Sequence, residues 1–219
     1  MLILFILVWA GTRNIYLIPK SLGQNLWEIF LEFFSELTES ISGHTKARQF
    51  FPLIFTLFIF ILTLNWLGLL PGVGTIGLNH LDESGYLEFT PVFRAGTADL
   101  NTTLALAIVA MIAVQYYAVK YIGFKGHLGK FINFSNPINF FVGILELISE
   151  FAKVISFAFR LFGNIFAGEV LLAVMAFLIP VLIPVPFLGL EIFVGLIQAF
   201  VFAMLTLVFL TLATEKQGH

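Results

Sequence analysis

The chain reads as long apolar runs broken by short polar segments, and several runs reach or exceed the ~20 residues that span a bilayer. Pro52 opens one such run, free of charge to Leu70 and closing on Asn65-Trp66-Leu67-Gly68-Leu69-Leu70-Pro71-Gly72. It predicts a spanning helix over 52–70 with an aromatic near one interface. A second is predicted over 100–121, opened by Ala98-Asp99-Leu100-Asn101-Thr102-Thr103. Asp99 suits the N-cap there, because a carboxylate accepts from the free backbone N–H groups of a helix start. Asn136-Pro137 begins a third run that continues without proline to Ile179. About 42 residues at 1.5 Å each give roughly 63 Å, twice the hydrocarbon thickness. A helix over 137–179 must therefore tilt steeply, bend or divide, with Gly163 and Gly168 as soft points. Pro180, Pro184 and Pro186 predict a turn, and a last helix over 187–214 completes a long hairpin.

Two segments differ. Over 22–42, Leu22, Leu26, Ile29, Phe30, Phe33, Phe34, Leu37 and Ile41 recur at helical spacing, while Glu28, Glu32, Glu36 and Glu39 take the other side. That pattern predicts an amphipathic helix on the membrane surface or against a partner. Met1 to Ala10 is apolar but lacks the basic lead and cleavage site of a signal peptide. With Thr12-Arg13-Asn14 interrupting it, 1–18 is expected to be a first membrane helix whose beginning is short or missing from this chain.

Composition agrees with the pattern. The chain is 59% hydrophobic and 11% charged, against about 25% charged for a soluble domain, and 27 residues are Phe. The expectation is an all-α integral membrane protein in one membrane domain, 1–219, embedded in a lipid bilayer. A net charge of −2 gives no nucleic-acid footprint. Cysteine is absent, and histidines occur at 44, 80, 127 and 219, all read as loop or terminal positions. No metal-ligand spacing, phosphate loop, nucleophile elbow or dinucleotide fingerprint is present, so no cofactor or metal is expected. Lys120, Lys125 and Lys130, with Arg13, Lys20, Lys46 and Arg48, contrast with the acidic 72–98 segment. The positive-inside rule then places 13–50, 120–135 and the C-terminus in the cytoplasm, with 72–98 and the N-terminus outside.

Arg160 is the anomaly. A guanidinium in hydrocarbon costs about 2.5–3.5 kcal/mol even on lenient insertion scales, and arginine does not escape by losing its proton. At about 100° per residue, Glu146, Glu150, Lys153, Arg160 and Asn164 share one side of the long helix, bordered by Ser149 and Ser156. Glu169 points nearly opposite Arg160; Glu191 and Gln198 share a face of the last helix, with Thr206 further on. Ordinary salt bridging near an interface accounts equally well for Glu146, Glu150 and Lys153. Helix–helix hydrogen bonding is the plainer reading of Glu169 and Glu191. No acid lies three or four positions from Arg160, so its charge is read as presented to something outside the chain.

Here the sequence resembles the subunit a family of the F-type ATP synthases, over essentially its whole length. Phe159-Arg160-Leu161-Phe162-Gly163-Asn164-Ile165-Phe166-Ala167-Gly168-Glu169 is the strongest match. The segments at 65–72 and 98–102, and Gln198-Ala199-Phe200-Val201-Phe202, support it in family order. The resemblance implies a proton-translocating stator in a bacterial inner membrane, without catalysis of its own. Its implied partners are the ring of c subunits, the peripheral-stalk b subunits and the rest of the synthase. It further implies that Arg160 faces the carboxylate of each passing c subunit; an opposite charge within about 4–6 Å favours the ionised form, so the proton leaves. Asn164 and Gln198 are implied as its neighbours. Glu169, Glu191 and Asp99 would line a half-channel from outside; Glu146 and Ser149 would line the cytoplasmic one, with Lys153 nearby. Many relatives have a histidine at one of the positions matching Glu169 and Glu191, whereas both are glutamate here. The alternative function is a self-contained transporter using Arg160 as counter-charge for an anion, although the repeats usual in transporters are not evident.

Overall fold

The protein is described by a computed structural model at residues 22–70, 73, 77–81, 87–91, 95–131, 137–179 and 184–215. The helix expected over 1–18 lies outside them. Six α-helices are described: α1 (Leu22–Ser42), α2 (His44–Leu67), α3 (Leu100–Ile122), α4 (Phe124–Phe131), α5 (Pro137–Leu178) and α6 (Pro184–Thr214). Between α2 and α3 lie two antiparallel strands, β1 (Gly77–Leu81) and β2 (Leu87–Pro91), paired Gly77 to Pro91, and a 3-10 turn, Gly96–Ala98. Helices α2, α3, α5 and α6 are long and apolar enough to cross a membrane. Helices suit this solvent because they satisfy every backbone group internally.

The core is built where α2, α3, α5 and α6 meet. Phe50, Ile54, Ile61, Ala107, Ala110, Ala158, Leu161, Ala203 and Leu207 are all fully buried. Small residues on α3 and α6 let the backbones approach, as membrane packing requires. Lys46 donates to the Thr214 carbonyl and hydroxyl, both at 3.2 Å, placing a cation at the negative end of α6. Gly43 (φ 76°) and Gly123 (φ 86°) form the one-residue joints α1–α2 and α3–α4 in backbone conformations that only glycine holds without strain.

Several expectations change. The spanning helix begins at His44, not at Pro52, which lies inside α2. Proline removes one N–H bond there, and the Thr56 hydroxyl donates to the Pro52 carbonyl at 2.6 Å. Pro184 and Pro186 belong to the first turn of α6 rather than to the turn before it. An initial turn has no use for their missing N–H groups. The long run is one assigned helix, α5, with Gly163 and Gly168 inside it and no break between segments. His44, His80 and His127 fall in α2, β1 and α4, not in loops. Helix α1 forms over the expected residues but attaches through a narrow mixed face, burying Gln24, Phe34, Thr38 and Ser42. Phe34 stacks in a ring cluster with Phe58, Phe55 and Phe200. Leu26, Ile29, Phe30 and Phe33 stay exposed, which suits contact with lipid.

Candidate functional site

Helix α5 packs on α3 and α6 along one side, burying Phe157, Ala158, Leu161, Ile165 and Gly168. The other side has no partner helix among the described residues and exposes Phe151, Ile155, Phe159 and Phe166. Arg160 sits on that open side, exposed beside Phe159. Its guanidinium leans back along the helix to donate to the Ser156 hydroxyl at 3.5 Å, following the N-terminal tilt of helical side chains. Among the described residues no carboxylate forms an ion pair with Arg160.

Four residues onward, Asn164 donates to the Gln198 side-chain oxygen at 2.6 Å, tying α5 to α6. Gln198 is buried and its amide nitrogen has no partner. Two turns further toward the ribbon end, the Glu191 carboxyl rests directly on Gly168, and a Cβ at 168 would coincide with it. Glycine at 168 is therefore a slot for an acid on the facing helix. Glu191 is 5% exposed and its Oε1 lacks a hydrogen-bond partner, while Glu169 lies close enough for the two carboxylates to interact electrostatically. Helix α2 closes this region. Asn65 donates to the Gly195 carbonyl at 2.9 Å, Trp66 Nε1 to the Ile192 carbonyl at 3.1 Å, and Asn65 Oδ1 is left without a partner. The 3-10 turn brings in Thr97, fully buried with an unpartnered hydroxyl, and packs Ala95 and Ala98 on Ile165.

Toward the lysine-rich end the polar residues line open space. One cavity of about 320 Å³ is walled by Gln115, His127, Glu146, Glu150, Lys153 and Glu215, with apolar side chains between them. A second, of about 350 Å³, holds Ser149, Lys153, Ser156 and Arg160. Lys153 and Phe209 belong to both walls. Lys153 bridges Glu150 at 2.6 Å, and the other Glu150 oxygen accepts from Gln115 of α3 at 2.8 Å. The two cavities therefore adjoin at these residues, and the second reaches Arg160.

Among the expected site residues, the structure puts Glu146 in the wall of the first cavity and Ser149 and Arg160 in that of the second, and pairs Asn164 with Gln198. Glu169, half-buried, lies near the buried Glu191 on the ribbon side. Asp99 lies at the head of α3, its carboxylate accepting from Asn101 N at 2.9 Å, as the capping expectation holds. Thr206 is buried and bonded to the Phe202 carbonyl, away from the open side. Among the described residues no three His, Cys, Asp or Glu side chains converge on a metal-sized site. Gln115, Asn65, Thr97 and the Gly168 slot were not singled out from sequence as site groups. Gln115 carried a signal, standing as the lone amide in the apolar run from Leu104 to Val119.

Comparison with known proteins bears on this geometry. The family model described as the ATP synthase A chain matches residues 1–211. The chain is also 35% identical to the ATP synthase subunit a of Moorella thermoacetica over 219 residues, covering 100% of this chain and 88% of that protein.

Proposed function

The chain belongs to the ATP synthase A chain family, and on that footing we propose that it is the proton-conducting, non-catalytic stator of a rotary F-type synthase in a bacterial inner membrane. The observation that carries this reading is Arg160, exposed on the open side of α5 and, among the described residues, without an ion-paired acid. A charge held at that depth gains most from a carboxylate on a neighbouring subunit that passes and leaves.

Protons enter from the ribbon side, which the positive-inside rule puts outside, past Asp99 and through the Glu169–Glu191 cluster. Buried atoms without partners at Asn65, Thr97, Glu191 and Gln198 support a polar path here, since orphaned groups cost about 1–3 kcal/mol each in an apolar wall. Asn164, held by Gln198, stands between that cluster and Arg160. The proton passes to a carboxyl of the c-subunit ring, travels with the ring, and is released when that carboxylate reaches Arg160. It leaves through the Ser149 and Ser156 cavity and the Glu146 cavity to the cytoplasm. The guanidinium also bars direct hopping between the two routes, so current must turn the ring. The membrane potential supplies about 2.3 kcal/mol per charge per 100 mV. The b subunits and the rest of the synthase hold this chain against that torque.

Replacing Arg160 with Ala in the assembled synthase tests the reading. ATP-driven acidification of reconstituted vesicles should vanish while the complex still assembles. Normal coupled pumping by that variant overturns it.

A further inference from the structure

Lys153 occupies an unusual place: it is in the wall of both cavities on the lysine-rich side, with Phe209 opposite, so the pair forms the neck between them. Its ammonium has two direct partners, one of them fixed in turn by α3. Glu150 Oε1 accepts at 2.6 Å, the Phe209 ring centroid lies 5.0 Å away, and the Glu150 carboxylate is itself fixed by Gln115 through its second oxygen at 2.8 Å. A lysine side chain has four flexible bonds, and such restraint removes most of its rotamer freedom. Position 153 is two helical turns before Arg160, about 10.5 Å along the axis and on the same side. Both side chains lean toward the N-terminus of α5, Lys153 to Glu150 and Arg160 to Ser156, so the ammonium is turned back from the guanidinium.

We infer that Glu150 and Gln115 are positioning residues whose task is to neutralise Lys153 and hold it at the neck, turned back from the Arg160 guanidinium. The inference rests on the proposed ion route and deepens it. Without the clamp, an uncompensated ammonium is free to swing through the second cavity toward the Arg160 guanidinium. There it opposes any cation passing and competes with Arg160 for the partner carboxylate. Two unit charges about 10 Å apart at an effective dielectric near 20 interact strongly enough to change a rate on the order of tenfold. With the clamp in place the neck carries a closed ion pair, and the route stays open to protons.

The experiment is a double-mutant cycle in the assembled synthase, reading ATP-driven acidification of vesicles per assembled complex. Glu150→Gln should reduce pumping on the order of tenfold, because it leaves Lys153 uncompensated. Adding Lys153→Gln should return the rate to within about threefold of wild type, since the neck is neutral again. Rescue by removing the second charge is not expected from a merely structural role, where the double variant is no better than the single one. A Glu150→Gln complex that pumps normally, or one that Lys153→Gln does not rescue, overturns the clamp. Arg160→Ala measured alongside separates the two readings: loss of pumping there with no effect at Glu150 removes the clamp alone, while retained pumping in Arg160→Ala removes the route itself.

Discussion

Toward the ribbon, the Glu191 carboxyl is buried against Gly168 and makes no ion pair among the described residues, with only another acid, Glu169, nearby. Toward the lysine-rich end, Glu150 is bridged by Lys153 and Gln115, and Glu146 borders an open cavity. The same residue type serves differently because its surroundings differ. Burying a carboxylate without a counter-ion is costly, which sets Glu191 apart from an acid beside open space. A paired carboxylate in a wetter wall is a fixed, neutralised element. On this comparison the ribbon side depends on individual acids, and the lysine-rich side on free space and charge balance.

Substitutions can break or sharpen that contrast. The largest effect is expected from Glu169→Gln combined with Glu191→Gln, which removes both acids of the ribbon side. Pumping in reconstituted vesicles should fall on the order of a hundredfold, the low end of what a positioned proton-transfer group contributes. Unchanged rates would take these residues off the route. Next is Gly168→Ala, whose methyl must expel the Glu191 carboxyl from its slot. Overpacking of this kind costs about 1–3 kcal/mol, visible as a lower detergent unfolding temperature together with slower pumping. The small residue is required only while 191 is long, so Gly168→Ala with Glu191→Ala should recover the stability. Glu146→Gln, on the open side, should cost about 1 kcal/mol or less, a rate change below about sixfold. The smallest effect is expected at Asp99. Asp99→Asn keeps the cap to Asn101 and should leave unfolding unchanged with pumping within about twofold, whereas Asp99→Ala should cost about 1 kcal/mol of stability.

Much of the architecture was legible because the bilayer imposes length and apolarity on each spanning helix. The predicted 100–121 and 137–179 segments differ from α3 and α5 by a residue at most at each end. The start of α2 was misplaced because Pro52 reads locally as a helix opening. A helix two turns longer tolerates it when neighbouring helices hold the segment. Helix α4 has eight residues, too few for a hydrophobic period to emerge from a basic segment. In the strand pair, β1 lacks the alternation of a half-buried strand, and the alternation of β2 over Leu87-Glu88-Phe89-Thr90 is too short to stand out in a polar segment. At the site, Arg160 announced itself because nothing within one helical turn explains its charge. The Glu191 slot did not, because it joins residues 23 apart through the absence of a side chain at 168. Gln115 and Glu150 likewise meet only when α3 lies against α5.

The central claim is that the open side of α5 around Arg160 meets a moving carboxylate-bearing partner. The chain has no native cysteine, so single cysteines can be placed cleanly. Asn164→Cys, on the exposed side, should form a disulfide with a cysteine set beside the mid-membrane carboxylate of the ring subunit, and Thr206→Cys, fully buried, should not. Cross-linking at 206 but not at 164, or at neither in an assembled complex, would contradict it.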